Sequence, residues 1–317
     1  MTPEFDVIGV GLNATDTLLV VPKFPAYAGK VRISEETLMP GGQVASALSA
    51  CARLGLRAKY IGAIGDDERG RVQMESLAAA GVDATDVKIR RNCATQSAYI
   101  IVDASTGERT VFWQRDDRLS VHPEEIRPEQ IACGRLLHID GHDTPAVTHA
   151  ARIARARGIP VTVDVDTIYP GFDRVLPNVD YLMASAEFPA RWTGERDPFR
   201  ALAMLQGEYG MKVAAMTLGA DGSLAREGGR YVYSPAYVVD AVDTTGAGDV
   251  FHGAFCYAVL EEMTLGAALD FANAMAALNC TAMGARGGIR GLEDIRALMA
   301  RGERRADAEI SARAAGN

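Results

Sequence analysis

No run of apolar residues in the chain reaches membrane-spanning length. Its start, Met1-Thr2-Pro3-Glu4-Phe5-Asp6, lacks the basic-then-apolar pattern of a signal. These absences predict a cytoplasmic protein with no membrane partner. Cysteine is scarce: Cys51, Cys93, Cys133, Cys256 and Cys280 are odd in number, scattered, and never spaced Cys-x-x-Cys. A disulfide framework is excluded, and buried thiols in a reducing compartment are expected instead. Basic charge is in deficit, with 33 Lys and Arg against 41 Asp and Glu and a net charge of -8. That balance argues against nucleic acid as a partner. His138, His142 and His252 are not at metal-ligand spacing on a common element, so zinc is not expected. Internal repeats are missing too, and the single biased stretch is the Ala/Arg/Glu-rich tail after Arg301, read as a helix or a frayed end.

Apolar residues make up 48% of the chain, enough for a large core, while 317 residues fit either two domains or one large α/β domain. Phe5 to Val10 reads as a buried strand ending in a turn, and Thr17 to Val21 is rich in β-branched and apolar residues. Asp16 stands just past the first strand, where open α/β sheets bind ligands; a turn-forming Asp is the alternative. Lys30 to Thr37 alternates weakly, as a strand outside the main sheet would. Pro40-Gly41-Gly42-Gln43 then opens an Ala/Leu-rich helix that Gly55 would cap. A strand at Tyr60–Ile64 and a helix at Arg69–Ala80 follow. Strands at Leu136–Asp140, Val161–Asp164, Tyr181–Ala184 and Val213–Leu218 later alternate with helices at Pro145–Ala156 and Pro198–Tyr209. This rhythm predicts a parallel, doubly wound sheet. Two interruptions have period two: Cys93–Asp103 with Glu108–Gln114 about the turn Ala104-Ser105-Thr106-Gly107, and a hairpin near Ser223–Tyr233. The expected organisation is a single domain over residues 1–317, with a small β lid formed by about residues 15–39 and 93–115.

The stretch Asp243-Thr244-Thr245-Gly246-Ala247-Gly248-Asp249-Val250-Phe251 carries the chemistry. Its glycines let the backbone approach a ligand, and the helix expected from Asp249 to Leu260 presents unpaired amides at its start. That is an anion site. A carboxylate beside a bound phosphate makes sense if Asp249 takes the proton from a hydroxyl attacking it; helix capping is the plainer alternative. In so acidic a protein, phosphates must be held by local backbone and metal.

This stretch resembles the C-terminal signature of the PfkB/ribokinase family of carbohydrate kinases, Asp-Thr-x-Gly-Ala-Gly-Asp-x-Phe. Gly41-Gly42 through Ser46, Leu54-Gly55 and Gly62-x-x-Gly65-Asp66-Asp67 resemble the N-terminal one. The resemblance spans nearly the whole chain. It implies an α/β ribokinase-like fold: a mostly parallel sheet flanked by helices on both faces, with a β lid over the sugar. The implied reaction is phosphoryl transfer from ATP to a sugar hydroxyl, with Asp249 as base and Gly246, Ala247 and Gly248 as the anion hole. Asp16, Lys30, Gly41, Gly42, Gln43, Ser46 and Asp140 match the sugar side. Thr217, Gly219, Gly222 and Asn273 match the nucleotide side. Asp243, Thr245 and Gly284 resemble a potassium site, and Glu187 is a candidate for Mg2+ through water.

Two departures bear on specificity. Ser46 stands where many relatives have an asparagine able to bridge two sugar hydroxyls, and Ser185-Ala186-Glu187-Phe188 replaces Asn-x-x-Glu. His138-Ile139-Asp140-Gly141-His142-Asp143 and Phe251-His252-Gly253 look closer to the ketohexokinase and sulfosugar-kinase branch. The acceptor is expected to be ribose, fructose or a related sugar. A nucleoside kinase of this fold needs more aromatic residues near Asp16 and Gly41 than the chain has; a catalytically inactive sugar-binding regulator would have lost Asp249 or the glycines. Apolar lid residues Tyr99, Ile101, Val111 and Trp113 predict a homodimer formed through the lid.

Overall fold

The computed structural model describes residues 3–106 and 109–316. Met1 and Thr2, the turn residue Gly107 and the expected strand start Glu108 lie outside the described residues. The core is an eight-stranded sheet. From one edge its strands are Arg230–Ser234, Ser223–Glu227, Val213–Thr217, Tyr181–Ala184, Val161–Val165, Gly134–Ile139, Phe5–Val10 and Ala58–Ile61. From Val213–Thr217 onward all neighbours are parallel, and the two edge strands at the other side form an antiparallel hairpin. Parallel strands need helical crossovers, and these cover both faces.

The alternation of side chains divides the core into two layers. Ile8, Leu137, Val163, Leu182 and Ala214 pack with Val147, Ala151 and Leu202 from the helices Thr144–Ala156 and Pro198–Tyr209. On the other face Met183, Val213 and Ala215 meet Phe251, Phe255, Leu269 and Met275 from Ala247–Leu260 and Leu265–Asn279. Val7 and Leu136 meet Val44 and Leu48 of the helix Gln43–Arg53. These strands are buried on both faces, so they read as continuous apolar runs without alternation.

A second, four-stranded sheet runs Glu35–Gly41, Ala14–Val21, Ser97–Asp103, Arg109–Gln114. Its one parallel pair is Ala14–Val21 with Ser97–Asp103. The register sets Met39, Asp16, Ala98 and Trp113 in one cross-strand row on one face. Leu38, Thr17, Tyr99 and Phe112 fill the next row, on the other.

Several local expectations shift. The strand read at Lys30–Thr37 lies at Glu35–Gly41, because pairing Ala14 with Gly41 carries it into the glycine pair. The strand read at Tyr60–Ile64 divides at Gly62: Ala58–Ile61 joins the main sheet, and Ala63–Gly65 pairs with Lys88–Arg90. Asp16 sits inside a strand, not in a turn. After Arg301, residues Ala308–Gly316 form a helix.

Candidate active site

Val10, Ile139, Val165, Ala184 and Thr217 end parallel strands at one edge of the main sheet, and the glycine motifs converge there. Gly246 caps the helix Ala247–Leu260 in a left-handed conformation, φ 73°. A Cβ at Gly246 would lie 2.3 Å from the Ala285 carbonyl oxygen, so both the turn and the packing require glycine. Ala247 and Gly248 form the first turn, whose amides lack partners within the helix. Those amides and the helix dipole make this end the place for an anion.

Asp249 lies in the same turn, half-buried. Burial, then the neighbouring Asp164 carboxylate, push its pKa up to about 7; His252 opposes this, while Asp16 and Asp166 add to it. One turn further along, His252 faces strand Val161–Val165, with its Nδ1 3.0 Å from Asp164 Oδ2. Burial alone would lower the His252 pKa, but Asp164 holds it above its ordinary value. Asp249 therefore lies one turn from a buried His–Asp pair. Neither Asp164, Asp166 nor His252 was singled out for this role by sequence, although charged groups inside apolar runs were the available signal.

Asp16 is half-buried beside Gly41: a Cβ on that glycine would come within 2.3 Å of Asp16 Oδ2. Burial raises its pKa to about 6, with Arg286 and then Arg69 opposing and Asp243 adding. Gly42, at φ 92°, caps the helix Gln43–Arg53, and a Cβ there would lie 2.4 Å from Asn13 Cα. Gln43, half-buried, opens that helix. Asp16 and Gly41, in the four-stranded sheet, thus come together with Gly42 and Gln43 where that sheet meets the helix Gln43–Arg53.

Three residues assigned to the sugar side sit otherwise. Asp140 is completely buried, and its oxygens accept the Leu12 and His142 amides at 2.6 and 2.8 Å. It braces two loops at the strand ends. Ser46 is completely buried as well, its Oγ accepting from Arg286 Nε at 3.1 Å. Lys30 is exposed in the loop before Glu35–Gly41. Arg286 also belongs to the cluster around Ser46 and Gly41, and its only sign in the sequence is a basic residue within a glycine-rich loop.

On the far side of Gly246 a cavity of about 470 Å³ is lined by Gly219, Thr244, Ala247, Asn273, Ala276 and Cys280, among others. Its site beside the anion loop and its apolar walls suit a nucleotide. Asn273 is in the wall, but its Nδ2 already donates to Ser223 Oγ and the Ser234 carbonyl. It shapes the cavity wall. Thr217 ends its strand next to this cavity, and Gly222, at φ 99°, packs against Ser234.

Asp243 joins two loops: its carboxylate accepts the Thr245 amide at 2.9 Å and the Gly284 amide at 2.8 Å. Thr245 Oγ1 is buried with no partner. Glu187 is exposed just past the strand Tyr181–Ala184.

A family model described as pfkB family carbohydrate kinase matches residues 6–290. The chain is 32% identical to an ATP-dependent ribose-1-phosphate kinase of Halopiger xanaduensis, over 88% of this chain and 93% of that protein. It is 29% identical to a ribokinase of Haemophilus influenzae, over 91% and 96% of the two chains. The crystal structure of a protein assigned as a ribokinase from Agrobacterium tumefaciens superposes with a TM-score of 0.87 at 31% identity. That match covers 93% of this chain and 97% of that one.

Proposed function

The chain belongs to the pfkB family of carbohydrate kinases and is an ATP-dependent sugar kinase, and from that premise we propose how its residues divide the work. Asp249 is the base, and the acceptor hydroxyl lies between it and the γ-phosphate at the start of the helix Ala247–Leu260. The observation that carries this reading is the placement of the Asp249 carboxylate in the first turn of the helix Ala247–Leu260, directly after the Gly246-Ala247-Gly248 turn, where burial raises its pKa to about 7. A group near neutrality can be ionised in the free enzyme and still accept a proton in the transition state. Transfer of a phosphoryl group asks for little covalent chemistry, so the amides of Gly246, Ala247 and Gly248 supply positioning and charge stabilisation. Asp16 accepts a hydrogen bond from a second sugar hydroxyl, over the Gly41-Gly42 backbone. The lid sheet excludes water, protecting ATP from hydrolysis.

Gly219, Thr217 and the cavity beside Asn273 take the nucleotide. Asp166 and Glu187, just past the ends of the strands Val161–Val165 and Tyr181–Ala184, would hold Mg2+ through water, and the ion would neutralise phosphate charge. A monovalent cation, K+, fits between the Asp243–Gly246 and Ala282–Gly288 loops. This reading is supported by Thr245 Oγ1, which is buried without a partner, and by the Asp243 carboxylate, which spans the two loops. The acceptor is a small sugar, either ribose, fructose or a phosphorylated relative such as ribose 1-phosphate. The two relatives named for ribose compounds favour a pentose.

ADP release from ATP should be followed with ribose, fructose, ribose 1-phosphate and adenosine, using the wild type and Asp249→Asn. The expected result is turnover with one of the sugars, lowered by about 10³-fold or more in Asp249→Asn while ATP still binds. Near-normal turnover in that variant would remove Asp249 from the role of base.

A further inference from the structure

Arg286 lies in the loop after helix Leu265–Asn279, yet its guanidinium reaches the other end of the sequence. Nε donates to Ser46 Oγ at 3.1 Å, Nη1 to Ser76 Oγ at 2.9 Å, and Nη2 to the Gly41 carbonyl at 2.6 Å and Gln73 Oε1 at 3.2 Å. Four hydrogen bonds thereby tie one side chain to the Gly41-Gly42 turn, the helix Gln43–Arg53 and the helix Glu68–Ala79. None of these partners is a carboxylate. A guanidinium in so enclosed a place ordinarily has an anion against it.

We propose that Arg286 is the positioning residue of the acceptor subsite, clamping the Gly41 carbonyl and Ser46 hydroxyl while its charge stands behind Asp16. The inference rests on the reading that Asp16 accepts a sugar hydroxyl. Gly41 contributes both the surface on which the Asp16 carboxylate lies and the carbonyl that Arg286 holds. A displaced Gly41 would therefore move Asp16 and the pocket floor together. Ser46 is completely buried, and its hydroxyl is taken by the Arg286 fork.

The electrostatics point the same way. Arg286 is the largest influence keeping Asp16 ionised, followed by Arg69 from the helix Glu68–Ala79, whereas Asp243 from the anion-loop side acts against it. Burial lowers the Arg286 pKa to about 10, with Asp249, Tyr60 and Asp16 opposing, so Arg286 stays cationic across the physiological range. Loss of that charge shifts Asp16 towards its protonated form, which cannot accept the hydroxyl hydrogen bond with two oxygens. Sugar binding would then require a higher pH.

Three variants test this: Arg286→Lys, Arg286→Met and Asp16→Asn, each measured for KM of sugar, KM of ATP, kcat, thermal midpoint and the pH profile of kcat/KM for sugar. Arg286→Lys keeps the charge and loses the fork. Its expected result is a sugar KM raised roughly tenfold, with the KM of ATP and the acid limb unchanged. Arg286→Met should raise the sugar KM further and move the acid limb to higher pH by about one unit. A merely structural strut would lower the thermal midpoint without separating the two KM values. If Arg286→Met does not fold, Arg286→Lys decides alone: a wild-type sugar KM in that variant overturns the proposal. If Asp16→Asn leaves the sugar KM unchanged, the acceptor reading itself fails. If Asp16→Asn raises it and Arg286→Lys does not, only the clamp fails.

Discussion

Asp249 is held where ionisation is difficult, and this has consequences for activity and stability alike. Its pKa of about 7 lies above the ordinary 3.8, so the fold favours the protonated form. The sign follows from linkage: stability is lost as pH climbs from the unfolded value through about 7, and above that the ionised carboxylate is a fixed cost. Asp249→Asn removes this cost. At pH 8 the variant should melt higher than wild type, by roughly 2 °C in calorimetry, while turnover collapses. A lower melting point would show the carboxylate to be structural. In the wild type, kcat/KM for sugar should fall as pH drops through about 7, where Asp249 takes up its proton, and fall more steeply through about 6 as Asp16 follows. A flat profile between pH 8 and 5.5 would contradict both assignments.

The anion-binding helix and the Ala282–Gly288 loop act as one unit. Asn279 Nδ2 donates to the Thr245 and Ala285 carbonyls, Asp243 accepts from Gly284, and Gly246 touches Ala285. Gly246→Ala puts a methyl 2.3 Å from the Ala285 oxygen at a left-handed φ. The expected cost is about 1–3 kcal/mol of stability. Turnover should fall by roughly 10²-fold, because the amides lose their aim. Denaturant midpoint and kcat measured together check this; an active, equally stable variant would mean that the loops move freely apart. Much of this unit was legible in the sequence, since a glycine-rich loop leading into an apolar helix is a local signal. Its partner loop is about forty residues away, and only folding brings the two together.

At the scale of the whole molecule, one face of the four-stranded sheet exposes apolar side chains. Leu38, Tyr99 and Phe112 occupy one cross-strand row there and are 42%, 42% and 54% exposed. The expected apolar set of Tyr99, Ile101, Val111 and Trp113 does not form one surface. The antiparallel register opposes Tyr99 to Phe112 and Trp113 to Ala98, sending Trp113 to the Asp16 face. A homodimer joining two such outer faces remains our proposal. Light scattering at working concentration should give twice the chain mass, and Phe112→Asp should return the monomer; a wild-type monomer would end the idea.

The parallel sheet and the glycine turn that opens the helix Ala247–Leu260 follow from the sequence, because each rests on a local pattern: apolar runs of strand length, and glycines before a helix. What only the tertiary structure decides is which groups meet across long separations. Asp140 looked like a ligand at a strand end and is a buried brace, since two distant amides claim its oxygens. Ser46 looked like a shortened sugar contact and is a partner of Arg286, 240 positions away. Such pairings have no local signature, because burial and hydrogen-bond geometry are properties of the assembled fold.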